Sequence, residues 1–457
     1  MPHRSLTGFA SQALALALLA IPAAAVPAER GGPELTFSGV QRTRYEALNG
    51  QLLSGLNNRD EVLALQTSLV FAAKLRAVRL VGEILDSRAE LNDVGSFVNG
   101  TVVDSLEPIQ AFVEWTATDL RQTGSESTLR VGRMTLDVGK RRLLSRNRFR
   151  NTVNNFLGAD WQWRGTDGRA ARAFYFTPLR PLPNDLDSLL DNEPELDRAF
   201  RDTAIIGGYY QFPKLPGGHI LETTIADYQL RAAPSDTAAA ADHISLGFRA
   251  YRPPAAGRWH YETEAIAQAG ESGANVAGVP HDDLRHHAYF LHAEIGYGFP
   301  TPWSPTLTLQ YDRASGDHDP LDERNERFNT LFGDRRFDFG PTGIYGPFQR
   351  SNLDTPGLRL TFNPNARWQG MVSYRSLRLA SSTDTWVGVG YRDESGDSGR
   401  SLGRQLEASL LWTAIPGRLT LDMGFAALRL GRFGELNRDP TFSGEPRYYY
   451  AAVTTTF

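Results

Sequence analysis

The chain has 457 residues, of which 41% are hydrophobic, with 43 glycines, 26 prolines and a formal net charge of -4. This composition fits neither a disordered segment nor a helical membrane protein. Because the sequence contains no cysteine, disulfide bonds and thiolate metal sites are excluded, and the mild acidity argues against a nucleic-acid-binding role.

The amino terminus predicts a secretory signal peptide. Arg4 supplies the positive charge, residues 13–21 form the apolar core, and Ala23 with Ala25 forms an A-x-A cleavage site. We therefore expect residues 1–25 to be removed and residues 26–457 to form the mature domain, with cleavage after Ala28 as the alternative. The apolar core is too short for a transmembrane helix, and no later stretch reaches the roughly 18 to 20 apolar residues that such a helix needs.

From residue 34 onward, short segments alternate apolar and polar residues, which is the period of a β-strand. In residues 61–75, for example, Leu65, Leu69 and Phe71 fall on one face, whereas Gln66 falls on the other. The pattern predicts about eighteen strands. They start near residues 34, 61, 78, 107, 128, 156, 170, 203, 218, 243, 258, 286, 304, 356, 367, 403, 418 and 446.

Short and long connections between these strands take turns along the chain. Long connections are expected near residues 49–60, 91–106, 139–155, 178–202, 233–242, 270–285, 314–355, 381–402 and 431–445. An outer-membrane barrel has short turns on one rim and long loops on the other. The sequence therefore predicts an all-β, transmembrane antiparallel up-and-down β-barrel of about 18 strands in the outer membrane of a Gram-negative cell.

The carboxyl terminus agrees with this prediction. The last strand ends in Phe457, with Tyr449, Ala451 and Val453 on the same face. A terminal strand that ends in phenylalanine resembles the signal by which the outer-membrane assembly machinery recognises its clients.

Three stretches resemble the alginate export porin family. Residues 129–158 resemble its G-R-x(5)-G-x-R-L segment, residues 311–362 its A-S-G-D and F-N-x-L-F blocks, and residues 371–385 the strand that follows. The resemblance implies a monomeric barrel of about eighteen strands that exports an anionic exopolysaccharide through an arginine-rich pore.

The alternation of the strands predicts which basic side chains face the lumen. They are Arg42, Arg44, Lys74, Arg79, Arg249, Arg359 and Arg375. Arg130 and Arg133 lie on opposite faces of one strand, so at most one reaches the pore if that strand is regular. The alternation favours Arg130, and the family resemblance favours Arg133.

A basic segment at residues 140–150 contains Lys140, Arg141, Arg142, Arg146, Arg148 and Arg150. Two interpretations have similar weight: the segment folds into the lumen as a basic constriction, or it stays on the surface and binds lipopolysaccharide phosphates. Inward-facing acids have two interpretations: they pair with the arginines across the lumen, or, as is favoured, they simply line the barrel, because a water-filled interior needs polar walls whatever the substrate. They are Glu83, Glu114, Glu262, Glu264, Glu294 and Glu407.

Catalytic motifs are absent from the sequence, which has no G-x-S-x-G, no H-E-x-x-H and no P-loop. No enzymatic activity, cofactor or metal is therefore expected. The acids Asp317, Asp319, Asp322 and Glu323 offer oxygen ligands for calcium, but they lack the spacing of a calcium loop, so a solvated loop is favoured.

Three functions are considered, and the third, a barrel enzyme of the outer membrane, is disfavoured by the absence of catalytic motifs. The first is export of an alginate-like anionic exopolysaccharide. The alternative is uptake of a specific small solute, favoured by the mixed-sign lumen and by the acidic segment at residues 185–202. Expected partners are outer-membrane lipid and lipopolysaccharide, the transported polymer or solute, and periplasmic secretion components, with no nucleic acid.

Overall fold

The structure is a computed structural model that describes residues 32–200, 202–231, 240–276, 279–319 and 321–457. The predicted signal peptide at residues 1–25 lies outside these ranges. Within them, no helix is long and apolar enough to cross a membrane.

Eighteen long strands form one antiparallel sheet. In chain order they are β1 Glu34–Asn49, β2 Arg59–Leu75, β3 Val78–Glu90, β4 Asp104–Thr118, β5 Glu126–Met134, β6 Phe156–Arg164, β7 Ala170–Arg180, β8 Thr203–Gln211, β9 Ile220–Leu230, β10 Ala241–Arg252, β11 Arg258–Val276, β12 Val279–Gly298, β13 Thr306–Ala314, β14 Leu353–Asn365, β15 Trp368–Arg378, β16 Ser401–Ile415, β17 Leu419–Leu430 and β18 Arg447–Thr456.

The sheet closes because β1 pairs with β18, from Val40 opposite Thr456 to Asn49 opposite Arg447. Beyond the last paired residue, Phe457 exchanges two backbone hydrogen bonds with Gly39, of 2.7 and 3.0 Å. The predicted closed barrel of about eighteen antiparallel strands is thereby confirmed.

One predicted connection is wrong. The sequence pattern gave a long connection near residues 270–285 and a strand start near residue 286, whereas β11 continues to Val276 and β12 begins at Val279. Many residues of this hairpin extension are small or polar, so it lacks the apolar alternation by which the other strands were recognised. Backbone pairing alone does not require that alternation.

Smaller elements lie in the connections. The helices are Leu186–Leu190, Arg336–Phe339 and Arg432–Asn437, and the one 3-10 turn in the described ranges is Pro216–Gly218. The two-residue strand Arg198–Ala199 pairs with β7, and Arg324–Asn325 pairs with β12. We call the rim with residues 76–77, 366–367 and the other tight connections the short-turn rim, and the opposite edge the long-loop rim.

Side chains alternate between the two faces of the barrel wall. Along β10, Ile244, Leu246 and Phe248 point outward and are 49%, 57% and 51% exposed, whereas His243 and Ser245 point inward and are buried. Apolar side chains thus cover the outer surface, as hydrocarbon requires, and polar side chains cover the inner one. The predicted outward face of β18 follows the same rule, since Tyr449 and Val453 are exposed.

Two long connections, residues 135–155 and 315–352, fold into the barrel. Leu143 and Leu144 of the first are buried in one cluster with Phe156, Phe176 and Phe290 of the wall. The two connections also bond to each other, because the Phe332 N-H donates to the Leu143 carbonyl (2.9 Å) and the Asp334 N-H donates to the Arg141 carbonyl (2.8 Å). The lumen is therefore lined by these segments as well as by strands.

An arginine placed on the outer surface should reveal how deep each position lies in the bilayer. Leu246 is in the middle of β10, and Leu75 ends β2 next to the short turn. We expect Leu246→Arg to lower the free energy of unfolding by about 2–4 kcal/mol and Leu75→Arg by about 0–1 kcal/mol, because the cost depends on depth. Urea unfolding in lipid vesicles measures both, and equal costs would contradict a membrane-spanning outer surface.

Candidate functional site

The basic segment at residues 140–150 lies inside the barrel and is held by acids of the wall and of the second inward connection. The Arg142 guanidinium, which is 1% exposed, donates to Glu262 (2.7 Å), to Glu264 and to Asp338 (3.0 Å). Arg146 pairs with Glu83 of β3 at 2.6 Å. The segment thus spans the lumen between strands far apart in the wall.

Phe149 of this segment is fixed between two guanidinium groups. The Arg44 Cζ lies 4.5 Å and the Arg336 Cζ lies 4.9 Å from the centre of its ring. Tyr450 of β18 meets the ring edge-on at 5.4 Å. Cation–π contact holds the aromatic ring while leaving the guanidinium edges free for other partners.

Phe337 of the second inward connection is surrounded in a similar way. Lys140, Arg141 and Arg350 place their cationic groups 5.6, 5.1 and 5.3 Å from its ring centre. Asp338, the next residue, accepts hydrogen bonds from both Arg142 and Arg350. The two inward connections therefore meet in a layer of basic side chains around two half-buried aromatic rings, with the buried Asp338 between Arg142 and Arg350.

Several predicted lumen arginines are balanced by acids. Arg44 pairs with Glu46 at 2.6 Å, and Arg375 pairs with Asp312 at 2.9 Å. Arg249 bridges Glu222 (2.9 Å) and Glu262 (2.7 Å). The inward acids, for which the sequence favoured a plain barrel-lining role, each lie within 4 Å of a basic side chain, with His292 as the neighbour of Glu294; they are Glu83, Glu114, Glu262, Glu264, Glu294 and Glu407.

Four arginines of the lumen differ from these, because no carboxylate of the described ranges lies within 4 Å of their guanidinium groups. Arg42 donates to the carbonyls of residues 148 and 150 (2.8 and 2.7 Å), and Arg359 donates to the carbonyl of Phe337 (2.6 Å). Arg335 donates to the carbonyl of Phe348 (3.2 Å). The fourth, Arg150, donates to the amide oxygen of Asn154. We call these four residues the unpaired arginines.

Burial lowers the pKa of two of the unpaired arginines without neutralising them. Burial, together with the neighbouring guanidinium groups of Arg150 and Arg350, lowers the pKa of Arg335 to about 10. Burial likewise lowers the pKa of Arg150 to about 10. Both groups remain charged at neutral pH. A mobile carboxylate that entered the lumen would pair with these guanidinium groups, because their planar N-H donors match the geometry of a carboxylate.

Other predicted residues lie closer to the rims. Lys74 and Arg79 face each other across β2 and β3 beside the short turn, and both are largely exposed at that rim. Arg130 donates to Glu114 on the lumen side of the wall (2.8 Å), whereas Arg133 binds Asp197 (3.0 Å) toward the long-loop rim.

Within the basic segment, Arg141 and Arg148 are less tightly held than Arg142. Arg141 lies 3.8 Å from Asp334, and Arg148 pairs with Asp137 at 2.5 Å while remaining 57% exposed. Both side chains therefore keep contact with solvent inside the barrel.

Sequence reasoning missed the second inward connection. Arg335, Arg336, Asp338 and Arg350 all lie in residues 315–352, which the spacing placed among the outer loops. Its length of 38 residues and its four arginines among residues 327–350 were the available signal. A stretch that long exceeds what a surface loop of a compact protein usually contains.

Two groups of side chains in the described ranges have the spacing of metal ligands: His292 with Asp312 and Asp338, and Asp104 with Glu107 and Asp197. In the first group the acids already bind Arg375 and Arg142. The acids Asp317, Asp319, Asp322 and Glu323 were considered for calcium from the sequence, but the structure shows carboxylates of this stretch bonded to the backbone of the same loop. There, for example, the Asp319 and Asp322 carboxylates accept the N-H groups of Leu321 and Arg324.

Neutralising Asp338 should destabilise the protein strongly. Asp338→Asn leaves the buried Arg350 without a carboxylate and weakens the set that holds Arg142. Breaking a buried ion pair from one side costs about 3–5 kcal/mol. We expect that loss in urea unfolding, whereas Glu195→Gln, which breaks an exposed pair with Arg198, should cost about 0–1 kcal/mol.

The same carboxylate predicts the direction of the pH dependence. Burial would raise the pKa of Asp338, but Arg142 and Arg350 hold it well below its usual range. Its stabilisation is therefore present above the unfolded-state pKa of about 4 and is lost as the pH falls toward the folded-state value. Unfolding measured between pH 7 and pH 3 should show this loss in the wild type and a smaller one in Asp338→Asn.

Comparison with solved structures shows the same fold at low sequence identity. OpdO of Pseudomonas aeruginosa superimposes with a TM-score of 0.57 at 12% identity, covering 93% of this chain and 97% of that one. OpdK of the same organism, solved with vanillate, gives 0.56 at 14%, covering 92% and 98%. OccAB1 of Acinetobacter baumannii gives 0.57 at 11%, covering 93% and 96%.

Comparison with curated proteins returns no match. The family model described as "Alginate export", in contrast, matches residues 34–439, which is nearly the whole barrel. The fold and this match are those of outer-membrane channels. The chain therefore belongs to the alginate export family and is an outer-membrane β-barrel channel.

Proposed function

We propose that the channel is anion-selective and exports an alginate-like exopolysaccharide through its arginine-lined lumen. The observation that carries this proposal is the set of unpaired arginines, Arg42, Arg150, Arg335 and Arg359, whose guanidinium groups have no carboxylate of the described ranges within 4 Å. The family match across residues 34–439 supports a polymer as the cargo.

A polyanion suits this lumen for a physical reason. Conduction needs binding that is favourable enough for entry yet divided over several weak sites, so that the cargo also leaves. The unpaired arginines are spread over β1, β14 and both inward connections. Main-chain carbonyls orient the guanidinium groups of Arg42 and Arg359. A polymer with one carboxylate on each sugar can exchange its carboxylates among such sites as it moves.

Uptake of a small carboxylate is the second candidate. Two long connections fill part of the lumen, and a narrower path suits a small solute. The similar barrel OpdK was solved with vanillate, which is a small aromatic carboxylate. The unpaired arginines would also bind a monomeric carboxylate. A measured preference for anions therefore does not by itself distinguish polymer export from small-solute uptake.

Further expectations accompany the proposal. We propose that residues 1–25 are removed as a signal peptide and that the barrel works as a monomer. Lipopolysaccharide would contact the apolar outer surface and the long-loop rim, and periplasmic secretion components would meet the short-turn rim.

Replacing two unpaired arginines should reduce the anion preference. In planar bilayers under a salt gradient, we expect the wild type to favour chloride, and Arg42→Gln with Arg359→Gln to shift the reversal potential toward zero, because fixed charge in a narrow path sets ion selectivity. Arg164→Gln, at an exposed position at the end of β6, is the matched control and should leave the potential unchanged. A cation-selective wild type would contradict the proposal.

The length of the blocking anion separates export from uptake. Single-channel current is recorded while an oligouronate of about ten sugars, its monomer or vanillate is added. If the cargo is a polymer, the oligomer should block at a concentration at least about tenfold lower per carboxylate than the monomer, because linked carboxylates bind several arginines at once. Equal block by oligomer and monomer favours small-solute uptake.

A further inference from the structure

Three carboxylates meet near the long-loop rim in a place that the lumen arginines do not use. Asp104 and Glu107 begin β4, and Asp197 belongs to the connection between β7 and β8. One oxygen of each lies within 4.8 Å of one oxygen of each of the others. The Asp104 and Glu107 residues and the side chain of Asp197 are all 0% exposed.

Positive charge near this cluster is insufficient to balance it. Arg133 is the one basic side chain of the described ranges within salt-bridge distance, and it contacts Glu107 and, at 3.0 Å, Asp197. Three ionised carboxylates and one guanidinium leave two negative charges among side chains that are closed to bulk solvent. Transfer of an unbalanced carboxylate out of water costs several kcal/mol.

Asp104 is the clearest sign that a partner belongs here. Neither of its carboxylate oxygens has a hydrogen-bond partner among the described residues, although the side chain is completely buried and directed toward the other two acids. The buried Asp312, in contrast, is satisfied by Arg375 and His292, and Asp104 is the one buried carboxylate of the described ranges with neither oxygen partnered. The unsatisfied oxygens of Asp104 therefore distinguish this cluster from an ordinary buried ion-pair network.

We propose that Asp104, Glu107 and Asp197 form a binding site for Ca²⁺. The ligands are all oxygens, which Ca²⁺ prefers, and an oxygen separation of up to 4.8 Å matches two Ca–O bonds of about 2.4 Å on opposite sides of the ion. The charge of the ion balances the two surplus negative charges. Water and neighbouring oxygens complete the six to eight ligands that Ca²⁺ takes.

Bound Ca²⁺ would fasten the connection between β7 and β8 to the neighbouring strands β3 and β4. Asp197 is joined to the wall by its own N-H, which donates to Glu107 (3.2 Å). In the same connection, the Asn192 side chain exchanges two hydrogen bonds with the backbone of Ala89 on β3 (2.8 and 2.9 Å). The ion therefore connects β4 to a segment that reaches across to β3, and it holds the long-loop rim in one arrangement.

Calcium titration of the purified, refolded barrel tests the proposal. After treatment with a chelator, isothermal titration with CaCl₂ should show one site with a Kd of about 0.1–1 mM, as in extracellular calcium sites, and MgCl₂ should bind at least about tenfold more weakly. Asp104→Asn and Glu107→Gln should each abolish this binding. Glu195→Gln, an exposed acid of the same connection, should retain it.

If a variant folds poorly, the change in Tm on adding CaCl₂ gives a second measurement of calcium binding. CaCl₂ at about ten times the Kd should raise the Tm of the wild type and of Glu195→Gln by about 2 °C, and it should not change the Tm of Glu107→Gln. The proposal is overturned if the wild type takes up no calcium, or if Asp104→Asn is more stable than the wild type with and without calcium. The latter result would show that a proton, rather than a metal ion, satisfies Asp104.

Discussion

A bilayer offers no water to satisfy backbone N-H and C=O groups, so a strand in hydrocarbon must have a partner on both sides. The pairing of β1 with β18 meets this condition for the eighteen strands, and everything else in the protein is arranged around the cylinder that it closes. Because the sheet is closed, every strand residue faces either the lipid or the lumen. Outward positions such as Leu246 become apolar, and inward positions become free to carry charge.

Inside the cylinder, charge is organised at two levels. Most lumen carboxylates and arginines neutralise each other. Asp338 joins the two inward connections by binding Arg142 and Arg350, and Glu262 of β11 ties Arg142 to the wall. A smaller set of guanidinium groups, including Arg42 and Arg359, is bound by neutral oxygens and keeps its charge available. The first level gives rigidity, and under the proposed function the second gives a field that attracts anions. A lumen with complete internal pairing would be stable but would exert little attraction on a charged cargo.

The architecture could be predicted from the sequence because strands with one face in lipid must alternate apolar and polar residues, and this alternation is visible along the chain. Seventeen of the eighteen strand starts lie within three residues of the prediction, and the exception, β12, begins in a polar hairpin extension beyond the apolar band. The partners of the arginines could not be predicted in the same way. Arg142 binds Asp338, which is 196 residues away, because two connections fold inward together. Strand periodicity contains no information about the path of a connection.

The basic segment joins distant parts of the wall: Arg42 and Arg44 of β1 bond to its backbone on one side, and Glu262 of β11 binds Arg142 on the other. A segment bonded to distant parts of the wall restricts changes in the width of the barrel. It also constrains biogenesis. Since the segment is enclosed by strands that come before and after it in the chain, its docking against β1 is best completed before β18 seals the seam. We therefore expect the basic segment to be in place inside the lumen by the time the barrel has closed in the membrane.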